Sequence, residues 1–198
     1  MTTTTNRRRR RLVLGIVALA TVASIGIGAA SLALFTSSAT VGANTFSTGS
    51  VIISTTPTTA LVTFNAMAPG DQVTAPITVT NGGTLDLRYA ISSVATNTDL
   101  KALKDQLVLT IKSGVTTCTN AAWAATGTVL YTGDLDSTAG KLVGDAATGA
   151  NAGDRNLLAG ANEILCFNVT LPLSTGPAFQ AATTTATFTF DAEQTKNN

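Results

Sequence analysis

The chain has 198 residues, with 12 Lys or Arg, 11 Asp or Glu and no His. Without an imidazole there is no Ser–His–Asp triad and no HExxH helix, and both the usual zinc ligand and the commonest general base are missing. Five of the 12 basic residues form one run, Arg7-Arg8-Arg9-Arg10-Arg11; the seven left face 11 acidic residues, a net charge of −4 that leaves no basic footprint for nucleic acid.

The N-terminal stretch reads as a transport signal. Thr2 to Asn6 is polar, the arginine run follows, and no charge occurs from Leu12 to about Leu34. A positive start, an apolar middle and a small-x-small exit at Ser31 and Ala33 spell a secretory signal peptide. The exit places the cut between Ala33 and Leu34, with Ala30 a poorer site. At about 20 residues the apolar part also matches one bilayer span. An uncleaved anchor therefore stays open beside cleavage, although Gly, Ala and Ser dilute the hydrophobicity towards the exit and favour the cut. The paired arginines lack the rest of a twin-arginine motif. On this reading the chain meets the membrane only through its signal segment, and a signal peptidase during export. About 165 residues remain, enough for one domain with a core. The expected plan is a signal peptide over 1–33, a mobile arm and possible donor strand over 34–50, a β-sandwich over 51–192 and a polar tail over 193–198.

Between Leu34 and Ser47, Phe35, Val41 and Phe46 are scattered among Ser, Thr, Asn and Ala. That is too little apolar surface to anchor a segment and too much for a plain linker. Two readings stand: an arm able to pair with a sheet edge, or a disordered spacer. Val51–Ser54 and Leu61–Phe64 read as strands. Pro69-Gly70-Asp71 is turn chemistry. After it Val73, Ala75, Ile77 and Val79 point one way, and Gln72, Thr74, Thr78 and Thr80 the other. Asn81-Gly82-Gly83 supplies the next turn, and Leu85, Leu87, Tyr89 and Ile91 form a second alternating set, paired with the first.

Asp99–Asp105 is the one plausible helix, with Leu100, Leu103 and Leu107 along one side. Leu107, Leu109 and Ile111 mark a strand, and Thr128–Tyr131 is strand-like. Residues 133–153 are rich in Gly, Ala and Asp and read as a surface excursion. Asn156–Ala159 is a short apolar piece. In Glu163–Leu171, residues Leu165, Phe167, Val169 and Leu171 face inward, with Cys166, Asn168 and Thr170 opposite. In Thr183–Asp191, Ala186, Phe188 and Phe190 alternate with threonines. Short strands spaced by turns predict an all-β fold, a two-sheet antiparallel sandwich of Greek-key or jelly-roll type.

Few residues suggest chemistry. In an exported chain the two cysteines, Cys118 and Cys166, favour one disulfide over free buried thiols; in the chain-entropy picture it stabilises by about 4 kcal/mol. Asp134, Asp136 and Gly140 have some of the spacing of a calcium loop. The glycine stands one position late and no glutamate closes the loop, so a solvated acidic turn explains them better. Asn168-Val169-Thr170 is a glycosylation sequon lying inside an expected strand, and Asp154-Arg155 offers an ion pair of little consequence. No catalytic, metal or cofactor site emerges, and no cofactor is expected.

The leader ending in Leu34-Phe35-Thr36, the segment Asn44-Thr45-Phe46-Ser47-Thr48-Gly49, and the core from Pro69-Gly70-Asp71 to Asn81-Gly82-Gly83-Thr84-Leu85-Asp86-Leu87-Arg88-Tyr89 together resemble TasA/camelysin-type proteins. The closing Phe188-Thr189-Phe190-Asp191-Ala192-Glu193-Gln194 fits the same pattern. The resemblance implies a jelly-roll-like sandwich, a SipW-type signal peptide, and secretion to the extracellular matrix or cell surface. There the protein would be a biofilm-matrix fibre subunit, its arm completing the sheet of the next copy or pairing with other matrix proteins. A monomeric surface module presenting residues 133–153 to a ligand is the alternative. The camelysin branch is classed as a metallopeptidase, and that role does not transfer to a chain without histidine.

Overall fold

The computed structural model describes residues 45–59, 66–137 and 140–197. The chain divides into two units, Met1–Phe46 and Ser47–Asn198. Of the first, only Thr45 and Phe46 are described, outside any strand, with Phe46 93% exposed. The signal peptide expected over 1–33, Ala33, Leu34, Phe35, Val41 and the strand expected over Leu61–Phe64 lie outside the described residues.

The second unit holds nine strands among the described residues: β1 (Ile53–Thr56), β2 (Gln72–Asn81), β3 (Leu87–Ala95), β4 (Val108–Ser113), β5 (Thr128–Gly133), β6 (Lys141–Val143), β7 (Arg155–Leu157), β8 (Asn162–Thr170) and β9 (Ala186–Gln194). One antiparallel sheet runs β1-β2-β8-β4-β5. In the other, β3 pairs with β9 along its whole length, and with β7 over Leu87–Tyr89 and β6 over Ile91–Ser92. Alternation explains the layers: Ile77 and Val79 of β2, Leu109 and Ile111 of β4, and Leu165 and Phe167 of β8 meet Leu87, Tyr89 and Ile91 of β3 in one core. Phe167 packs edge-on against Phe188 of β9, centroids 5.3 Å apart. This is the all-β antiparallel sandwich expected from the sequence.

The details differ from expectation in five places. First, β2 and β3 follow each other in sequence but lie in opposite sheets. The turn between them is built to cross the sandwich. Buried Asn81 donates through Nδ2 to the carbonyls of Leu85, Leu157 and Leu158, and its Oδ1 accepts the Gly83 N–H. Thr84 and Leu85 N–H both donate to the Ser50 carbonyl. A Cβ on Gly83 would fall 2.3 Å from that oxygen, so only glycine lets the two segments approach.

Second, the expected helix shrinks to a 3-10 turn over Leu103–Asp105. Lys101 N–H donates to Asp99 Oδ1 and Ala102 N–H to Asn97 Oδ1, which diverts two donors from a helical ladder. Leu100 and Ala102 take positive φ of 59° and 57°. Leu107 is buried just before β4 rather than inside it.

Third, the 133–153 stretch is woven into the fold. It contains β6, and its sparse Leu135, Leu142 and Val143 are core residues. Fourth, β9 and its contacts run past the boundary at 192: Leu87 pairs with Gln194, Arg88 Nε donates to Glu193 Oε1 at 2.5 Å, and Thr195 N–H donates to the Asp86 carbonyl. The polar residues expected to fray at 193–195 are the end of a strand and its anchor.

Fifth, both faces of β8 are covered. Leu165, Phe167 and Val169 face the core as expected, while Cys166 and Asn168 opposite them are equally buried. The segment 114–127 lies over them, joined by a disulfide between Cys118 and Cys166.

Candidate assembly edges

Many polar side chains of the sandwich hold its turns and strands together. Pro69-Gly70-Asp71 forms the turn entering β2: Gly70 takes φ +98°, its N–H donates to the Leu171 carbonyl, and Asp71 Oδ2 accepts the Ala68 N–H. Gly82 N–H donates to the Ile52 carbonyl, tying the residue before β1 to the crossing turn. These signature residues are structural.

Asp136 ion-pairs with Lys104 at 3.0 Å. Arg155 pairs with Glu163 at 2.7 Å and not with its neighbour Asp154, whose carboxylate accepts the N–H groups of Asp145 and Asn151. Asn168 of the sequon is buried, donating to Gln72 Oε1 and Thr74 Oγ1. Among the described residues no three His, Cys, Asp or Glu converge on a point that could hold a metal ion.

One polar cluster links the sheets and escaped the sequence reading. Tyr89 of β3 donates its phenol to Glu163 of β8, whose other oxygen accepts Arg155 Nη2 of β7. Burial, then the Glu163 hydrogen bond, push the Tyr89 phenol far above its ordinary value, so it stays a donor. Each partner is an unremarkable residue in its own strand, and only the stacking of the sheets brings them together.

Among the described residues the edges of the two sheets are β1, β5, β6, β7 and β9. β1 has four residues and runs into Pro57; β6 and β7 have three each. β5 has a register shift against β4 between Ile111 and Lys112, the bulge that bends an edge away from a newcomer. β9 is different. It has nine residues in unbroken register with β3, no Pro or Lys, and among the described residues β3 is its one strand partner. Phe188 and Phe190 turn towards the core yet stay half-buried, while Thr187, Thr189 and Asp191 are exposed.

A scan against protein families matches residues 8–198 to the camelysin metallo-endopeptidase family. The chain belongs to that family. Among solved structures it is similar to an ASH/PapD-like domain of human CEP192, PapD-like domain 7, at 15% identity over 83% of this chain and 99% of that one, with a TM-score of 0.28. A search of curated proteins finds no match. Membership of the camelysin family, which takes in TasA-type proteins, fits a secreted matrix protein. Among the described residues no helix is long and apolar enough to cross a membrane.

The family description also raises a metal site. The donor set of this chain does not fit one: it has no histidine, and both cysteines are consumed by the disulfide.

Proposed function

We propose that the mature protein is a secreted structural subunit of a biofilm matrix or cell-surface fibre, assembling by strand complementation between copies. The N-terminal arm of one copy, 34–50, would add to the β9 edge of another. The observation that carries this reading is β9 itself, the longest described edge, straight in register against β3 and without the prolines and lysines that usually blunt such edges. Strand addition satisfies backbone groups along that edge, and side chains of the arm, Phe35, Val41 and Phe46 among them, would cover the half-buried Phe188 and Phe190. Phe46, the last large apolar residue of the arm, is exposed. At the end of the arm, Ser50 N–H donates to Thr84 Oγ1 at 2.9 Å.

The reading predicts filaments from the purified mature protein and none after deletion of 34–47. Equal filament growth with and without the arm would end it. A second reading is favoured by the order within 144–154, where Asn151 Nδ2 donates to the Ala147 and Gly149 carbonyls and Gly149 N–H to Glu193 Oε1. A loop so braced could present a surface to a ligand on a solitary particle. Mass measured over a concentration series separates the two. A peptidase role has the family description in its favour and no donor set to support it; casein hydrolysis with and without chelator tests it.

A further inference from the structure

The segment from Gly114 to Gly127 closes on itself. At its neck Thr116 N–H donates to Thr126 Oγ1 at 3.0 Å. A Cβ on Gly127, at φ +87°, would fall 2.6 Å from the Ser113 carbonyl oxygen. Inside it, the N–H groups of Ala122 and Trp123 donate to the Thr119 carbonyl. The result is a compact Ω-shaped strap. No side chain from Gly114 to Gly127 is part of the core between the sheets.

Its grip on the outer face of β2, β8 and β4 is polar apart from one covalent bond. Gln72 exchanges side-chain and backbone hydrogen bonds with Asn120, and accepts Trp123 Nε1–H at 3.1 Å. Lys112 is 8% exposed; its Nζ donates to the carbonyls of Trp123, Ala124 and Thr126 at 3.0–3.3 Å and lies 5.1 Å from the Trp123 ring centre. The neutral bonds can each be exchanged for one to water at modest net cost, and the Lys112 ammonium regains hydration once exposed, whereas ordering the strap costs backbone freedom at every residue. The Cys118–Cys166 bond is what keeps the exchange from happening.

We propose that the strap is a redox-sensitive latch: oxidised, it covers the outer face of the five-stranded sheet; reduced, it lifts as a unit while the sandwich stays folded. Cys118 is half-buried and Cys166 fully buried. A trialkylphosphine therefore attacks Sγ of Cys118; Cys166 leaves as a thiolate and takes a proton. Water then hydrolyses the phosphorus–sulfur bond, giving the second thiol and the phosphine oxide. Lifting uncovers Gln72, Thr74 and Asn168 and brings the Lys112 ammonium to the surface. A chain still in a reducing compartment would carry this face open, and an exported one would carry it shut.

Trp123 is the one tryptophan of the chain and sits in the strap, so its emission reports the latch. On treating the mature protein with a trialkylphosphine, the emission should shift to the red and chymotrypsin cleavage after Trp123 should speed up at least tenfold. The strand signal in circular dichroism should stay unchanged. Cys118→Ser should behave the same way without reductant. Loss of the strand signal together with the emission change would make the bond a staple of the whole fold and overturn the proposal. So would unchanged emission and cleavage in both arms, which would mean the polar contacts suffice.

Discussion

Replacing Tyr89 with Phe removes one oxygen from the centre of the sandwich and little else. The ring is 1% exposed and keeps its place beside Phe190, centroids 6.2 Å apart. What is lost is the phenol donated to Glu163. Hydrogen bonds to charged groups contribute about 1.5–3 kcal/mol. Glu163 keeps its pairing with Arg155, and the two side chains are 18% and 30% exposed, so the carboxylate is not left bare. The loss therefore belongs at the low end, about 1.5 kcal/mol, or a fall in Tm of roughly 3–6 °C for a domain of this size. Glu163→Gln weakens both partnerships. In a double-mutant cycle the two changes should couple by about 1 kcal/mol, above the few tenths seen for independent sites. Urea unfolding of the mature protein, followed by circular dichroism, gives all four free energies. A loss below about 0.5 kcal/mol for Tyr89→Phe, or strict additivity, would show that the clamp between the sheets does not hold as described.

Other consequences follow from named contacts. Gly83→Ala forces a Cβ against the Ser50 carbonyl and should cost about 1–3 kcal/mol, measurable in the same urea titration; a neutral result would mean the crossing turn is looser than its geometry. Asp99 accepts N–H bonds from Lys101 and Thr183 and is held below the usual carboxylate range. Its folded pKa lies below its unfolded one, so its contribution is full above the unfolded value and is lost as pH falls through the folded value. Amide exchange at Lys101 and Thr183, corrected for intrinsic rates, should therefore accelerate below pH ~4. Asp99→Asn should remove that pH dependence. Thr187→Lys with Thr189→Lys places two charges on the outward face of β9; the sandwich should keep its stability within about 0.5 kcal/mol and filament growth should fall. Growth unaffected by the pair would point to another edge.

The strands that read most clearly in the sequence are those where one face is buried and the other wet. β2 and β9 show this as plain alternation, and the register of β2 against β8 is unbroken from Gln72 to Thr80. Where the reading failed, a partner distant in sequence decided the outcome. The β2–β3 turn has the residues of a hairpin, and only the carbonyls of Leu157 and Leu158 converging on Asn81 make it a crossing. The Asp99 stretch has helical spacing, yet Asp99 also accepts from Thr183 across the fold. Leu142 and Val143 are too few among glycines to announce a strand, and β6 forms where Lys141 pairs with Ser92 and Val143 with Ile91. The candidate assembly edge was half legible. The alternation of β9 is in the sequence, but its place at the edge follows from topology, and most of the arm expected to meet it lies outside the described residues.

Assembly by this route uses backbone edges rather than reactive side chains. Light scattering coupled to size-exclusion chromatography, over a hundredfold range of concentration, tests this most directly when run on the mature protein beside the form lacking 34–47. The mature protein should grow in mass with concentration and yield filaments in the electron microscope, while the truncated form stays at constant mass. A mature protein of constant mass at every concentration would contradict the account.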